Sequence, residues 1–181
     1  MDKIISINNL SVKFLGGINS VYAVNNLSFE LEKREILGII GESGCGKTVT
    51  CRAILRLNRN AQTKGEIFFD GQDILKLNES ELRRIRGSRI SMIFQNPASS
   101  LNPLVKIGTQ MIEVIKYHQN VSKEKAKDIA VSLLKDMGIP SPMEKLNEHP
   151  YQQSDGTNQR IMIAIALSCD PDILIADEPT A

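Results

Sequence analysis

The eight residues Gly41-Glu42-Ser43-Gly44-Cys45-Gly46-Lys47-Thr48 constrain this chain more than any others. They fit the pattern G-x-x-x-x-G-K-[ST] without deviation. The flanks suit it. Glu35-Ile36-Leu37-Gly38-Ile39-Ile40 reads as a short buried strand, and Val49 to Leu57 reads as the first turns of a helix. In a strand–turn–helix of this kind, glycines let successive backbone N–H groups point inward at one anion. The helix presents its positive end to the same anion. The pattern assigns Lys47 to the β- and γ-phosphates of a nucleotide and the Thr48 hydroxyl to Mg²⁺. All eight residues are therefore candidate phosphate-binding residues.

Composition narrows the classes. A chain of 181 residues with 41% hydrophobic content can bury a core, and its length suggests one domain. Its 22 Lys+Arg against 21 Asp+Glu leave no global field to draw in nucleic acid or an anionic membrane. The cluster Arg83-Arg84-Ile85-Arg86 with Arg89 reads as a solvated helix face. Cys45, Cys51 and Cys169 are odd in number and lack metal-ligand spacing, which points to a reducing compartment. Cys45 lies inside the phosphate loop, where a helix N-terminus can lower a thiol pKa; as a plain loop filler it needs only to be small. Met1-Asp2-Lys3 leads directly into strand-like residues, so no leader peptide is expected. The longest apolar run, Ile161 to Leu167, is too short to cross a bilayer.

Along the chain, Ile4–Ile7, Leu10–Phe14, Val21–Val24 and Leu27–Leu31 read as strand, with a turn at Gly16-Gly17. Gly65–Phe69 is a further strand, and Asp70-Gly71 is a tight turn. Glu79–Arg86 is a short charged helix, and Ile90–Phe94 is an apolar strand ending at Gln95. From Ile107 to about Gly138 the apolar spacing is helical, and Gly138-Ile139-Pro140-Ser141-Pro142 breaks it. Asn158–Ser168 reads as a buried helix, followed by the strand Ile173-Leu174-Ile175-Ala176, which delivers Asp177 and Glu178. A hydrophobic strand ending in two acids, downstream of a phosphate loop, suits nucleotide hydrolysis. Asp177 would hold the Mg²⁺ shell, and Glu178 would polarise an attacking water.

Taken together, these segments resemble the ATP-binding subunits of ABC transporters. The match covers essentially the whole chain. It comprises the phosphate loop (Walker A), Gln95 at a strand end (the Q-loop), the Ser154 to Arg160 region (the signature) and Ile173 to Ala181 (Walker B and the residues after it). The stretch Met92-Ile93-Phe94-Gln95-Asn96-Pro97-Ala98-Ser99-Ser100-Leu101-Asn102-Pro103 is similar to that of importers for dipeptides, oligopeptides and, in some members, nickel. The resemblance implies an α/β P-loop NTPase core with an N-terminal antiparallel β subdomain and a helical insert. The β subdomain would span about 1–34, the core 35–96 and 161–181, and the helical subdomain 97–160. It implies ATP and Mg²⁺ as ligands, with Thr48, Gln95 and Asp177 toward the metal, and Gln95 and Glu178 as catalytic residues. Phe14 falls where the family stacks an aromatic on adenine, with Tyr22 a second candidate; Phe14 reads equally well as a core strand residue. The implied partners are a second ABC ATPase subunit, identical or not, permease subunits docked on the insert, and indirectly an extracytoplasmic substrate-binding protein. No nucleic-acid partner is implied, and a soluble ABC ATPase of DNA repair or translation fits the Q-loop stretch poorly. The implied location is the cytoplasmic face of the cell membrane.

Two departures stand out. The family pattern near the signature is close to Leu-Ser-Gly-Gly-Met/Gln, and this chain has Gln153-Ser154-Asp155-Gly156-Thr157. Ser154, Gly156, Gln159 and Arg160 fit; Gln153, Asp155, Thr157 and Asn158 do not. In the family this segment grips the γ-phosphate held by the opposite subunit. A carboxylate at Asp155 opposes that charge, at roughly 4 kcal/mol per like unit charge at about 4 Å and an effective dielectric near 20. Alternatively it caps the helix. Second, the sequence stops at Ala181, before the family's Asp loop and switch His; His118 and His149 lie upstream and cannot substitute. The last core strands are thus expected to be missing, leaving unpaired backbone in the parallel sheet. The alternative function is a truncated, non-hydrolysing nucleotide-binding relic or regulatory subunit.

Overall fold

The computed structural model describes residues 3–15, 20–96 and 100–179. The Gly16-Gly17 turn, Pro97 to Ser99 of the Q-loop stretch, and Thr180-Ala181 lie outside them. The chain divides into two compact units, 1–82 and 83–181.

The first unit is built on an antiparallel sheet of β1 (Lys3–Phe14), β2 (Val21–Glu32), β3 (Ala61–Phe69) and β4 (Gln72–Asp73), in the order β2-β1-β3-β4. The apolar alternation of β1 changes phase midway, from Ile5 and Ile7 to Leu10 and Val12, yet all four are buried. A strand keeps one face inward across such a shift only by inserting a residue. Asn9 is that residue, with φ 49°, and Asn26 with φ 52° does the same on β2. The two bulges lock together: Asn9 N–H donates to Ser28 Oγ at 2.8 Å and Asn26 N–H to Ser11 Oγ at 2.9 Å. On the other side of β1, Gly65 has φ 105°, and a Cβ there would strike the Asn8 and Asn9 carbonyl oxygens at 2.7 and 2.6 Å. Two strands read separately on each side of Asn9 and Asn26 are therefore single bulged strands, and the sheet also recruits β3 and β4 from beyond residue 34.

Helix α1 (Lys47–Ile54) packs against β1 and β2. Asp70 and Gly71, both at positive φ, make the β3–β4 turn. Asp73 then caps a short 3₁₀ turn by accepting from the Leu75 N–H at 3.1 Å. The expected strand at Glu35–Ile40 is not formed. Among the described residues this segment joins no sheet, and Ile36 and Ile40 are each 97% exposed. An apolar run becomes a buried strand only when neighbouring strands satisfy its backbone on both sides.

Helix α2 (Glu79–Ile85) spans the boundary, and the second unit contains strands β5 (Ile90–Ile93) and β6 (Ile173–Ala176), and helices α3 (Ile107–Gln119), α4 (Lys123–Asp136), α5 (Pro142–Lys145) and α6 (Asp155–Leu167). Asn78 and Glu81 cap α2 reciprocally through side chain and backbone, at 3.0 and 2.8 Å. Helices α3, α4 and α6 enclose Ile107, Met111, Ile115, Leu134 and Ile161, all fully buried. Ile107, Met111, Ile115 and Leu134 fall at the helical spacing read from the sequence. The first two N–H groups of α3 donate to the Glu148 and Leu146 carbonyls at 2.9 Å each, which satisfies the helix start and ties it to the chain after α5. Strands β5 and β6 run parallel with Ile90↔Ile173 through Ile93↔Ala176 paired, forming a two-stranded sheet among the described residues.

Candidate functional site

In the first unit, the phosphate-loop residues form a tight turn that enters α1. Gly46 is the residue before the helix, at φ 99°, and a Cβ there would be driven into the Ala23 carbonyl oxygen of β2. Glycine is thus required twice over, by backbone angle and by close approach. A Cβ at Gly41 would meet Cys45 Sγ at 2.6 Å, so the thiol occupies the space that Gly41 leaves. That favours reading Cys45 as a small loop filler. Gly44, at φ 81°, has open space beside it. Lys47 folds back over the loop: its Nζ donates to the carbonyl oxygens of Gly41 and Glu42, both at 2.8 Å. These two acceptors hold the ammonium at the mouth of the loop.

Of the two adenine-platform candidates, Phe14 ends β1 half-buried and paired with Val21 and Ala61, whereas Tyr22 is 57% exposed. Lys13 Nζ sits 5.2 Å from the Tyr22 ring centroid. Phe14 is thus partly covered within the sheet, and Tyr22 is the more exposed of the two rings.

In the second unit, parallel register decides the geometry. Because Ile93 pairs with Ala176, the two strands end side by side, and the residues just beyond them meet. Asp177 N–H donates to the Ile93 carbonyl at 3.0 Å, and the Asp177 side chain is buried at 3% exposure. Gln95 Nε2 donates to Glu178 Oε2 at 2.5 Å. Glu178 turns out at φ 49°, which aims its carboxylate away from the strand and toward Gln95. Gln95, Asp177 and Glu178 therefore form one cluster at the C-terminal edge of a parallel sheet, where open α/β sheets place their ligands.

The donor set fits the expected ion. At the strand ends of the second unit, Gln95 offers an amide oxygen and Asp177 and Glu178 carboxylates, all hard oxygen ligands suited to Mg²⁺. Among the described residues no group of three or more His, Cys, Asp and Glu could hold a metal alone. Mg²⁺ takes one or two protein carboxylates and completes its shell with phosphate oxygens and water.

The signature region opens α6. Its cap is Ser154, whose Oγ accepts from the Thr157 N–H at 3.2 Å. Asp155 is exposed in the first helical turn and is not the cap, contrary to the capping alternative. Its charge still favours the helix through the dipole. Gln159 Nε2 donates to the Pro179 carbonyl oxygen, joining α6 to the segment after Glu178. That contact had no sequence signal, since it depends on how α6 lies against the end of β6. Asn158 is buried and donates to the Pro150 carbonyl at 3.0 Å. Neither histidine lies in the cluster. His118 packs on Gly87, where burial holds its pKa below the ordinary value, and His149 stacks on Tyr151 before a 3₁₀ turn.

Residues 24–181 match the family model described as ABC transporter. The chain is 46% identical to the dipeptide transport ATP-binding protein DppD of Bacillus subtilis, over 99% of this chain and 55% of that protein. It is 44% identical to the oligopeptide transport ATP-binding protein OppD of the same organism, over 98% of this chain and 51% of that protein. The chain thus spans about half the length of the curated relatives it matches. Among solved structures, the ATP-binding cassette MJ0796, a dimer in a post-hydrolysis state bound to ADP and Pi, superposes with a TM-score of 0.87 at 28% identity. That match covers 97% of this chain and 74% of the other. With its phosphate loop, its paired strand ends and these relatives, the chain belongs to the ABC transporter family.

Proposed function

We propose that this chain is the nucleotide-binding portion of a peptide-type ABC importer subunit. In this reading it works at the cytoplasmic face of the membrane with a second ATPase subunit and permease subunits, and ATP binding and hydrolysis drive dipeptide or oligopeptide uptake. The observation that carries the reading is the meeting of Gln95, Asp177 and Glu178 at the ends of β5 and β6, in a chain that also carries an intact phosphate loop. The dipeptide and oligopeptide transport names of the relatives support the substrate class; nickel is the alternative. No helix among the described residues is long and apolar enough to cross a membrane, which suits a subunit held there by partners.

Each residue then has a task. Lys47 leaves the Gly41 and Glu42 carbonyls for the β- and γ-phosphates. Thr48, Gln95 and Asp177 would hold Mg²⁺, which would neutralise phosphate charge. Glu178, oriented by Gln95, takes the proton of the attacking water. Phe14 or Tyr22 contacts the base. Ser154, Gly156 and Gln159 serve the nucleotide of the partner subunit. The helical subdomain, within 97–160, faces the permease.

The test is ATP turnover and nucleotide binding by the chain paired with its partner subunit. Glu178→Gln is expected to cut turnover by about 10²–10⁴-fold while nucleotide still binds. Lys47→Ala is expected to weaken binding by about ten- to a hundredfold, the value of one charge-assisted hydrogen bond set. Turnover that survives Glu178→Gln overturns the assignment of the base. Exposed Asp155 at the start of α6 favours the second reading, a non-hydrolysing regulatory subunit. Nucleotide binding without turnover in the paired wild-type chain would select it.

A further inference from the structure

Glu178 is exposed, stands at φ 49°, and is followed by Pro179. A residue with a Cβ rarely adopts this left-handed conformation, and keeps it only where its surroundings hold it. A residue before proline is pushed instead toward extended backbone, with φ about −120°. The turn after β6 is therefore held from outside.

Two contacts hold it. On the side chain, Gln95 Nε2 donates to Glu178 Oε2 at 2.5 Å. On the backbone, Gln159 Nε2 donates to the carbonyl oxygen of Pro179, the next residue. Covalent geometry makes the second contact stiff. The proline ring fixes φ at Pro179, and the planar peptide fixes ω. Only the ψ angles of Glu178 and Pro179 then separate the held oxygen from the Glu178 Cα. Fixing that oxygen restricts the direction in which the Glu178 side chain leaves the backbone.

Gln159 stands on a well-anchored helix. Its neighbour Asn158 is buried and donates to the Pro150 carbonyl at 3.0 Å. Ile161 and Ala164 are fully buried in the helical core, while Met162 and Ala166 pack with Ile93 of β5. The helix is thus seated on the strand that leads to Gln95, so both contacts on the Glu178 turn come from one frame. Ser154 already caps α6, and its buried face lies at other residues, so the helix does not depend on the Gln159 amide.

We propose that Gln159 is a positioning residue for Glu178 of its own chain: its amide holds the Pro179 carbonyl and so keeps the Glu178 carboxylate turned toward Gln95. The inference rests on the reading of Glu178 as the base. An amide nitrogen carries two protons, so this contact in cis is compatible with the role proposed for Gln159 toward the partner subunit's nucleotide.

The test joins ATP turnover by the chain paired with its partner subunit to ¹³C NMR of the chain labelled at the glutamate side-chain carboxyl carbons. Gln159→Ala is expected to lower turnover by about 10–100-fold, as loss of an orienting hydrogen bond does, with nucleotide affinity changed less than about twofold. Gln159→Glu keeps the side chain's size but puts an acceptor in place of the donor, and should do the same. In a Glu178→Gln background, Gln159→Ala should cost less than about twofold more, because residues that act as a unit are not additive. The Glu178 resonance, assigned by its absence in Glu178→Gln, should move in Gln159→Ala in the same direction as in Gln95→Ala. Thermal melts verify that each variant folds. Three outcomes overturn the proposal: turnover of Gln159→Ala within about twofold of wild type, an equal loss in both backgrounds, or an unmoved Glu178 resonance. Equal losses would assign Gln159 to the partner's nucleotide or to the fold. Nucleotide binding without turnover in the paired wild-type chain would instead end the hydrolytic reading, and the resonance alone would then decide whether Gln159 sets Glu178.

Discussion

Asp155 is the residue at which this chain differs most consequentially from its family's pattern. Ser154 already caps α6, so the Asp155 carboxylate is not needed to satisfy the helix start. It does sit in the first turn, where a negative charge stabilises the helix by about 0.3–1 kcal/mol. The same charge, turned toward a partner's γ-phosphate, opposes nucleotide held there. Asp155→Gly is therefore expected to lower the stability of this chain by about 1 kcal/mol, from lost dipole interaction and glycine's backbone entropy. It is also expected to raise the ATPase rate of the assembled pair. Urea titration reads the first effect and phosphate release the second; an unchanged rate would remove Asp155 from any role in the partner's site. The roles proposed for Lys47 and Thr48 rest on one unbroken eight-residue string. The contact between Gln95 and Glu178 joins residues 83 positions apart, and only the parallel pairing of their strands reveals it.

At the scale of elements, two features lend themselves to measurement. Helix α3 approaches the chain after α5 so closely that a Cβ at Gly108 would meet the Leu146 carbonyl oxygen at 2.6 Å and Leu146 Cβ at 2.9 Å. Gly108→Ala should cost about 1–3 kcal/mol, as overpacking does. Gly156→Ala, with nothing within 4 Å, should be neutral or stabilising by up to about 1 kcal/mol. Urea midpoints of the two variants check the contrast. In the first unit, burial pushes the Asp73 pKa up, but hydrogen bonds from Lys76 and from the Leu75 and Ile67 N–H groups outweigh it. The pKa ends below its ordinary value of 3.8. The unfolded chain then binds a proton more readily than the folded one. The contribution is thus present above pH 3.8 and lost as pH falls through the lower folded value. Asp73→Asn should flatten the acid limb of the stability–pH profile and leave its neutral and alkaline parts parallel to wild type. Helices α3 and α4 were legible because their apolar residues repeat at helical spacing, and α6 as a buried apolar run from Ile161 to Leu167. The bulges in β1 and β2 were encoded too, as phase shifts in alternation beside Asn9 and Asn26, but a linear reading takes such a shift for a strand end.

For the whole molecule, residues 35–40 carry the main lesson. Their composition is that of a buried parallel strand, yet Ile36 and Ile40 are 97% exposed and the segment joins no sheet among the described residues. Ile36→Lys with Ile40→Lys is expected to change stability by less than about 0.5 kcal/mol, as at other exposed sites. It should also reduce self-association in sedimentation velocity, because it removes an exposed apolar patch. A loss above about 2 kcal/mol would instead place both isoleucines in a core. Sequence alone determined the phosphate loop, the identity of the acids after β6, the helical core and the family, because each rests on local backbone geometry or on side-chain periodicity. The tertiary structure decided which strands pair, where Gln95 finds Glu178, that Ser154 and not Asp155 caps α6, and that an apolar run lies bare. All four depend on what stands across from a residue in space, and hydrogen bonds and burial between distant segments are not written in either segment alone.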